Sequence, residues 1–358
     1  MECEKLMVHM PENSIATRLL SWFDQYGRKD LPWQSPRTSY RVWVSEIMLQ
    51  QTQVITAIPY FERFMERFDS LLSLAEADED EVLHYWSGLG YYARCRNLHK
   101  TARIIIKLGK SDLPNTVEEL EALPGIGRST AAAIVAQVWN QPEAILDGNV
   151  KRVLSRYQCV AGWTGSSVVQ KTLWKLAEQY TPNERVADYT QAIMDLGATV
   201  CKRSKPQCET CPLSSDCLAL KKDCVNELPT PKKKKTLPEK RSVFIIIKNN
   251  QQQLLLQKRP PAGIWGGLWS LPESETNVDV VDYCSQELGL NVIKDSELAT
   301  IKHSFSHYHL YITPVLVQCQ SYSDKIMEQK EWCWYQKNQP EALGLPAPVS
   351  AIIDALSE

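Results

Sequence analysis

Residues 123–153 read LPGIGRSTAAAIVAQVWNQPEAILDGNVKRV and contain two separate features. The first is the turn LPGIG, in which Gly125 and Gly127 permit a tight bend and the close approach of another backbone. Helical patterns flank it, because Thr116 and Glu119 form a capping box before VEELEAL and an alanine-rich run follows the turn. The pattern predicts either an ordinary corner between helices or a helix start whose free N–H groups bind a phosphate.

The second feature is LDGNV at residues 146–150, where the carboxylate Asp147 precedes a glycine. An aspartate in front of the helical pattern NVKRVLSRY is typical of an N-cap. A cap at this position would also place a carboxylate at the mouth of a cleft between helices. From the sequence, Asp147 is therefore a helix cap, a functional carboxylate, or both.

Length and composition indicate a globular protein of two or three domains. The chain has 358 residues, 44% hydrophobic and 23% charged, and its net charge of −2 does not itself indicate nucleic acid. No apolar run approaches the ~20 residues that span a bilayer, and the acidic N-terminus is unlike a signal peptide. We expect no membrane partner and a reducing compartment, in which the eleven cysteines indicate a metal site instead of a disulfide framework.

A helix predicted over residues 39–68 carries a carboxylate in an apolar neighbourhood. Glu46 stands next to Ile47 and Met48, and burial there would raise its pKa until it held a proton near neutral pH. A glutamate of that kind serves as a general acid. Helical spacing also allows Glu46 to lie on a polar stripe with Gln50 and Gln53, and the pattern alone favours that plainer interpretation.

Two other stretches offer groups that suit DNA. QQTQ at residues 50–53 provides uncharged hydrogen-bonding side chains, which suit base edges but are also ordinary on a helix surface. GLGYY at residues 88–92 places Leu89 between glycines ahead of Tyr91, which predicts an exposed apolar finger able to wedge between base pairs. The alternative for this stretch is the C-cap of a helix.

Four cysteines follow the last predicted helix of the N-terminal part, with the spacing C-x6-C-x2-C-x5-C. They are Cys201, Cys208, Cys211 and Cys217. Four thiols in one short loop with a central CxxC predict a metal site, and thiolate ligation fits either zinc or an iron–sulfur cluster. Cys224 lies just outside the loop and is predicted to be unligated.

The character of the chain changes after residues 229–240, a Pro/Lys-rich segment that reads as a linker. SVFIIIKNN and QQQLLLQKR predict a β-hairpin, and later strands and helices complete an α+β pattern. This part resembles a Nudix domain. Nudix hydrolases carry Arg-Glu, part of the motif that holds metal and pyrophosphate, where this chain has Asp282-Tyr283. The resemblance therefore implies a domain that recognises DNA and does not hydrolyse nucleotides.

The motifs in order resemble the helix-hairpin-helix, iron–sulfur DNA glycosylases, and most closely the adenine-specific branch of the MutY type. The resemblance runs from about Ile15 to the C-terminal helix. It rests on LPWQ, SEIMLQQTQV, GLGYYARCRNLHK, LPGIGRSTA, LDGNVKRV, MDLGA, the cysteine loop and FSH. It implies a mainly α catalytic domain over residues 1–228, a linker over 229–240, and a Nudix-like recognition domain over 241–358. It also implies that the cysteine loop holds a [4Fe–4S] cluster.

Carried over residue by residue, the resemblance assigns roles to particular side chains. Glu46 matches the catalytic glutamate, Asp147 the catalytic aspartate, and Asn149 a supporting polar residue. The residues implied to contact DNA or its bases are Gln50, Gln51, Thr52, Leu89, Tyr91, Gly125, Gly127, Ser129, Gln191, Phe305, Ser306 and His307. Bifunctional glycosylase/lyases carry a catalytic lysine where this chain has Ser129, so a mainly monofunctional enzyme is implied.

The resemblance thus implies a monomeric bacterial enzyme of the cytoplasm. It would hydrolyse the N-glycosidic bond of adenine mispaired with 8-oxoguanine or guanine in double-stranded DNA. Three rivals remain: an endonuclease III-like lyase for oxidised pyrimidines, a non-catalytic damage sensor with the same fold, and an active Nudix hydrolase. Ser129 argues against the lyase, Glu46 with Asp147 against the sensor, and Asp282-Tyr283 against the hydrolase.

Overall fold

A computed structural model describes residues 14–232, 236–322, 331–336 and 343–356. Within these residues the contacts divide the chain into two compact units. The first unit comprises the residues up to Leu72 together with those from Lys100 to 232, and the second comprises Ser73–His99 together with the residues from 236 onwards.

The helices account for nearly all regular structure of the first unit and for part of the second. They are α1 (Ile15–Tyr26), α2 (Ser39–Leu49), α3 (Val54–Arg67), α4 (Leu71–Glu76), α5 (Glu79–Trp86), α6 (Ala93–Lys107), α7 (Val117–Glu121), α8 (Arg128–Trp139), α9 (Gly148–Tyr157), α10 (Ser167–Tyr180), α11 (Val186–Asp195), α12 (Leu218–Lys221), α13 (Val280–Gln286) and α14 (Ala347–Ala355). A π-helical turn, Leu196–Val200, continues α11. None of the described helices has the length and apolar character that a membrane crossing requires.

Local sequence signals explain where several helices begin. The Thr116 hydroxyl accepts a hydrogen bond from the Glu119 N–H (3.4 Å) at the start of α7, and the Asp147 carboxylate caps α9. Both caps were predicted and are confirmed. The predicted single helix over residues 39–68 is wrong, because Gln51 adopts a left-handed conformation (φ 60°) and separates α2 from α3. The break places the polar residues 50–53 in a loop instead of on a helix surface.

The alanine-rich run explains how the helices of the first unit approach one another. Residues Ala131 to Ala136 of α8 are at most 3% exposed, and α8 packs against both α2 and α11. A second set of buried side chains joins α1, α9, α10 and α11 into one core. The start of α9, and with it Asp147, is therefore fixed against the centre of the unit.

The second unit contains a mixed sheet, which confirms the predicted α+β part. Its strands are β1 (Glu239–Lys248), β2 (Leu254–Lys258), β3 (Trp269–Ser270), β4 (Glu273–Ser274), β5 (Leu290–Glu297), β6 (Ile301–Ser304), β7 (His309–Tyr322) and β8 (Trp332–Tyr335). The strand order is β3-β2-β1-β7-β5, with β4 on β1, β6 on β7 and β8 on β2. β1 runs parallel to β7, and the predicted hairpin is the antiparallel pair β1–β2.

The helical segment Ser73–His99 belongs to this second unit by its contacts. The Ser87 hydroxyl donates to the Leu345 carbonyl (2.9 Å), and the Lys258 ammonium lies 2.7 Å from the Asp80 carboxylate. The domain boundaries implied by the sequence placed this segment with the N-terminal part, and those boundaries stay a prediction. The predicted linker includes residues 233–235, which lie outside the described residues, and its last two residues begin β1.

A candidate active site in the helical unit

A cleft of about 910 Å³ opens in the first unit and gathers many of the predicted side chains. The loop between α2 and α3, the start of α8, the start of α9, the α11 region and the cysteine loop all contribute to its wall. The predicted residues that line it are Glu46, Gln50, Gln51, Thr52, Gly127, Ser129, Asp147, Asn149 and Gln191. Side chains as far apart in sequence as Glu46 and Gln191 thus line the same cleft.

Glu46 faces this cleft from α2, with the protein crowded around its carboxylate. The Gln137 side-chain amide donates a hydrogen bond to Glu46 Oε1 at 2.7 Å. The pKa of Glu46 is raised to about 7, chiefly by burial; the Gln137 hydrogen bond lowers it and the charge of Asp147 adds to the rise. Glu46 is therefore a carboxyl group that holds or releases a proton near neutral pH.

Asp147 is both a helix cap and a cleft residue. Its Oδ1 accepts from the Val150 N–H at 2.7 Å, and its Oδ2 accepts from the Asn149 side-chain amide at 3.2 Å. The pKa of Asp147 is raised above its ordinary value, because burial outweighs the hydrogen bonds from Val150 and Asn149, which lower it by stabilising the anion. The two carboxyl groups of the cleft therefore differ, since the anion at Asp147 has fixed hydrogen-bond donors on both oxygens.

Arg152 holds Asn149 in the orientation that Asp147 requires. Its guanidinium donates to Asn149 Oδ1 at 2.8 Å, to the Gly197 carbonyl at 2.7 Å and to the Cys201 carbonyl at 2.7 Å. With its oxygen engaged, the Asn149 amide presents its N–H group to Asp147. A Cβ on Gly197 would lie 2.6 Å from the Asn149 Cβ, so only glycine permits this close approach of the π-helical turn.

Gln191 is buried and bonded within the protein. Its amide donates to Asp195 Oδ1 at 2.8 Å, and Arg28 donates to the same carboxylate through its backbone N–H (2.8 Å) and its Nε (2.9 Å). Asp195 is only 1% exposed, so Arg28 compensates its buried charge. Arg28, Gln137 and Arg152 are functional candidates that the sequence analysis missed, because their partners are distant in sequence.

The glycine turn at residues 123–127 leads into the start of α8, which lines the cleft. Gly125 has φ +81°, a conformation that favours glycine, and Gly127 caps α8, although Gly125 itself is outside the cleft lining. The Ser129 hydroxyl accepts the Leu146 N–H at 2.9 Å and so ties α8 to the segment before Asp147. The Ser129 side chain is therefore a structural tie between these two segments.

The four loop cysteines line one small cavity beside α9 together with Arg156. The Arg156 guanidinium lies 3.3 Å from Cys201 Sγ, and burial raises the pKa of the Cys211 thiol to about 11. Bare thiolates would be costly there, so a cationic metal centre bound to all four sulfurs fits this donor set. The fit is one of donor chemistry and a shared cavity, since within the described residues no group of three or more His, Cys, Asp or Glu side chains is arranged to hold a single metal ion.

The remaining predicted residues lie in the second unit. Leu89 is only 7% exposed, so the predicted exposed finger is wrong for this side chain. Its N–H donates to the Trp86 carbonyl (3.0 Å) and closes the turn that follows α5. Tyr91 is 49% exposed with φ 51°. The predicted turn residues Phe305, Ser306 and His307 connect β6 to β7, and Ser306 and His307 are exposed.

Phe305 anchors that turn in an aromatic cluster. Its ring centroid lies 5.2 Å from that of Trp265 and 4.7 Å from that of Tyr308, distances typical of favourable aromatic pairs. The Lys240 ammonium lies over the Tyr308 ring at 5.0 Å. The turn is therefore held at its base, whereas the polar side chains next to it remain accessible.

Comparison with known proteins gives this arrangement a family. Residues 44–179 match the HhH-GPD superfamily of base excision DNA repair proteins, and residues 242–355 match the NUDIX domain. The adenine DNA glycosylase of Buchnera aphidicola subsp. Acyrthosiphon pisum is 40% identical over 336 residues, which are 94% of this chain and 95% of that protein. The chain belongs to the adenine DNA glycosylase family.

A further relative and a solved structure are consistent with membership of this family. The human adenine DNA glycosylase is 44% identical over 210 residues, covering 56% of this chain and 38% of the human protein. A solved thermostable thymine-DNA glycosylase superposes with a TM-score of 0.51 at 26% identity, over 58% of this chain and 95% of that one. The predicted family, fold class and enzyme class are confirmed: the chain is a DNA glycosylase, a hydrolase of N-glycosyl bonds.

Proposed function

We propose that this glycosylase removes adenine mispaired with 8-oxoguanine or guanine from double-stranded DNA, without a strong lyase step. The observation that carries the proposal is the pair of unlike carboxyl groups in one cleft. Glu46 has a pKa of about 7 and one hydrogen-bond donor, whereas Asp147, although burial raises its pKa too, has a hydrogen-bond donor on each oxygen that stabilises its anion. Glycosidic hydrolysis needs this division between an acid and a stabilising carboxylate.

The target adenine leaves the base stack and enters the cleft, whose volume of about 910 Å³ leaves room for a nucleotide. Glu46 in its protonated form gives the proton to adenine N7, which makes the base a better leaving group. Asp147 stabilises the positive charge that develops at C1′ of the sugar. Once ionised, Glu46 accepts a proton from the attacking water, and Gln137 holds its carboxylate in place throughout.

The position of Ser129 supports hydrolysis over lyase chemistry. A glycosylase/lyase needs an amine there to form a Schiff base, whereas the Ser129 hydroxyl holds the Leu146 N–H. The lysine that lines the cleft, Lys202, comes from the cysteine loop instead of the hairpin. We therefore expect any strand nicking to be weak, and we expect the enzyme to act as a monomer in a bacterial cytoplasm.

Single-turnover excision on three duplexes tests the proposal. Adenine opposite 8-oxoguanine should be lost fastest and adenine opposite guanine more slowly, with strand breaks only after alkali. Thymine glycol opposite adenine should stay intact. Tight binding without release of adenine would identify a damage sensor, and cleavage of the thymine glycol strand without alkali would identify a lyase.

Recognition of 8-oxoguanine is proposed to use two groups of residues. Gln51 and Thr52, which line the cleft, form the first group. The second group is in the other unit and consists of the exposed Tyr91 and the turn of Phe305, Ser306 and His307. The role proposed for the turn is supported by its exposed Ser306 hydroxyl and His307 ring, which lie next to Phe305, a member of the aromatic cluster. These are hydrogen-bonding groups that can distinguish the oxidised base from guanine.

Replacing Ser306 and His307 together by alanine should reduce the preference for 8-oxoguanine over guanine by about tenfold. The loss of one or two hydrogen bonds accounts for this magnitude. The ratio of excision rates on the two mispairs is the measurement, and Ser321→Ala, an exposed serine of β7, is the matched control. Unchanged discrimination in the double variant would remove this turn from recognition.

The cysteine loop is proposed to hold a [4Fe–4S] cluster through Cys201, Cys208, Cys211 and Cys217. When bound, the cluster supplies iron–thiolate bonds that fix the loop, and with it the basic residues Lys202, Arg203 and Lys205, in one conformation. What supports the assignment is that the four thiols line one cavity. In this proposal the cluster is a structural staple and takes no part in the hydrolysis.

Purified protein should therefore be brown, absorb broadly near ~400 nm and contain about four iron atoms per chain. Cys208→Ser should lose most of this absorbance because one ligand is missing. Cys224→Ser is the matched control and should keep the colour, since Cys224 is outside the cavity lining. A colourless wild-type protein with one equivalent of zinc would contradict the cluster assignment.

A further inference from the structure

Cys159 and Cys224 form a close thiol pair that the proposed chemistry does not use. Their sulfur atoms lie 3.6 Å apart, although 65 positions separate the two residues in sequence. Both residues are half-buried, whereas Cys95, Cys284 and Cys319 are buried. The pair lies outside the cavity that the four loop cysteines line. A small oxidant could therefore reach this pair more easily than it reaches the buried thiols.

The backbone already holds the two cysteines face to face. Cys159 follows the end of α9 with φ 51°, and Cys224 follows α12, where its N–H donates to the Ala219 carbonyl at 2.9 Å. Arg156 of α9 joins the two segments, because its Nε donates to the carbonyls of Val225 (3.0 Å) and Leu228 (2.8 Å). A disulfide needs its sulfurs about 2.05 Å apart, so rotation of the side chains and a small backbone adjustment would complete the bond.

The geometry points to a modification site: Cys159 and Cys224 oxidise to an intramolecular disulfide that staples the segment after α12 to the end of α9. The bond would close a loop that contains all four cysteines of the proposed cluster site. A covalent closure of this length restricts the unfolded chain and so favours the folded state. The disulfide would thus hold together the ends of residues 159–224, the segment that contains the cysteine loop, independently of any metal.

The oxidant is a low-molecular-weight disulfide, and two exchange steps complete the reaction. One protein thiolate attacks a sulfur of the small disulfide, forms a mixed disulfide and releases one small thiolate, which takes up a proton. The second protein thiolate attacks the protein sulfur of the mixed disulfide and releases the second small thiolate. The two cysteine sulfurs lose two electrons in total, and the small disulfide is reduced to two thiols.

Oxidised glutathione and the full-length protein provide the test. After incubation, free thiols are alkylated and the digest is analysed by mass spectrometry without reduction. A linked peptide containing Cys159 and Cys224 is expected, and a reducing agent should remove it. In Cys159→Ser the remaining Cys224 should be recovered as a mixed disulfide with glutathione. Separate alkylated peptides from the oxidised wild type, without the linked species, would overturn the proposal.

The stapling effect has its own readout. The thermal unfolding midpoint, followed by circular dichroism, should rise by several degrees on oxidation of the wild type. It should not rise in Cys159→Ser or Cys224→Ser treated in the same way. An equal midpoint before and after oxidation would show that the bond, if formed, does not staple the fold. Neither measurement depends on which base the glycosylase removes.

Discussion

The Glu46→Gln variant should lose adenine excision by about 10³-fold or more while it binds duplex DNA within a few-fold of the wild type. Glutamine keeps the size of the side chain and a hydrogen-bond partner for Gln137. It cannot give a proton to the departing base, and general acid catalysis contributes about 10²–10⁴ in rate. Single-turnover excision and a gel-shift titration on the adenine:8-oxoguanine duplex measure the two quantities.

The same substitution should make the folded protein more stable at pH 8. The folded-state pKa of about 7 lies above the ordinary value of 4.5, because burial penalises the charged carboxylate. The folded state therefore suffers a growing penalty as the pH rises from 4.5 to 7, and this penalty is fully present above 7. The difference corresponds to about 3 kcal/mol, so the gain of Glu46→Gln should reach that order at pH 8 and nearly vanish below pH 4.5.

An exposed glutamate provides the matched control for both effects. Glu178 of α10 forms a surface ion pair with Arg128, and its side chain is 51% exposed. Glu178→Gln should change neither the excision rate nor the thermal unfolding midpoint appreciably, since exposed ion pairs contribute little. Near-normal turnover in Glu46→Gln would exclude Glu46 as the acid, whatever its effect on stability.

Local patterns predicted the helix caps because a cap needs only residues three positions apart. The capping threonine Thr116 and the capping aspartate Asp147 both take the predicted role. The four cysteines are likewise close in sequence, so their common cavity follows from one short loop. The β1–β2 hairpin was predictable for the same reason, since its two strands are consecutive.

Glu46 shows where local patterns fail. Helical spacing over residues 39–68 favoured a polar stripe, but the chain leaves the helix at Gln51, and the stripe does not exist as predicted. The partner of Glu46 is Gln137, which is 91 positions away and has no distinguishing motif. Burial of Leu89 also depends on tertiary packing, which two flanking glycines do not encode. The sequence offered burial as a way to raise the pKa of Glu46, but the pattern favoured an exposed stripe, and only the folded structure shows the burial and the Gln137 hydrogen bond that opposes it.

Asp147→Asn should lose excision by about 10³-fold with only a small loss of stability. Asparagine caps helices about as well as aspartate, so its oxygen can still accept the Val150 N–H. The negative charge that stabilises the sugar cation is gone, however, and removal of an electrostatic group of this kind costs about 10²–10³ or more in rate. The new amide would also face the amide of Asn149, which Arg152 prevents from turning over, and this explains a small destabilisation.

Comparison of three variants separates the charge of Asp147 from its role as a cap. Asp147→Ala loses both and should cost about 1 kcal/mol of stability in addition to activity. Asp279→Asn alters a cap of the same kind at α13, where the carboxylate accepts from the N–H groups of Val281 and Asp282. It should leave excision unchanged, because this cap is outside the cleft lining. If Asp147→Asn kept its turnover while Asp147→Ala unfolded more easily, Asp147 would be a cap alone, and the cation at C1′ would need another counter-charge.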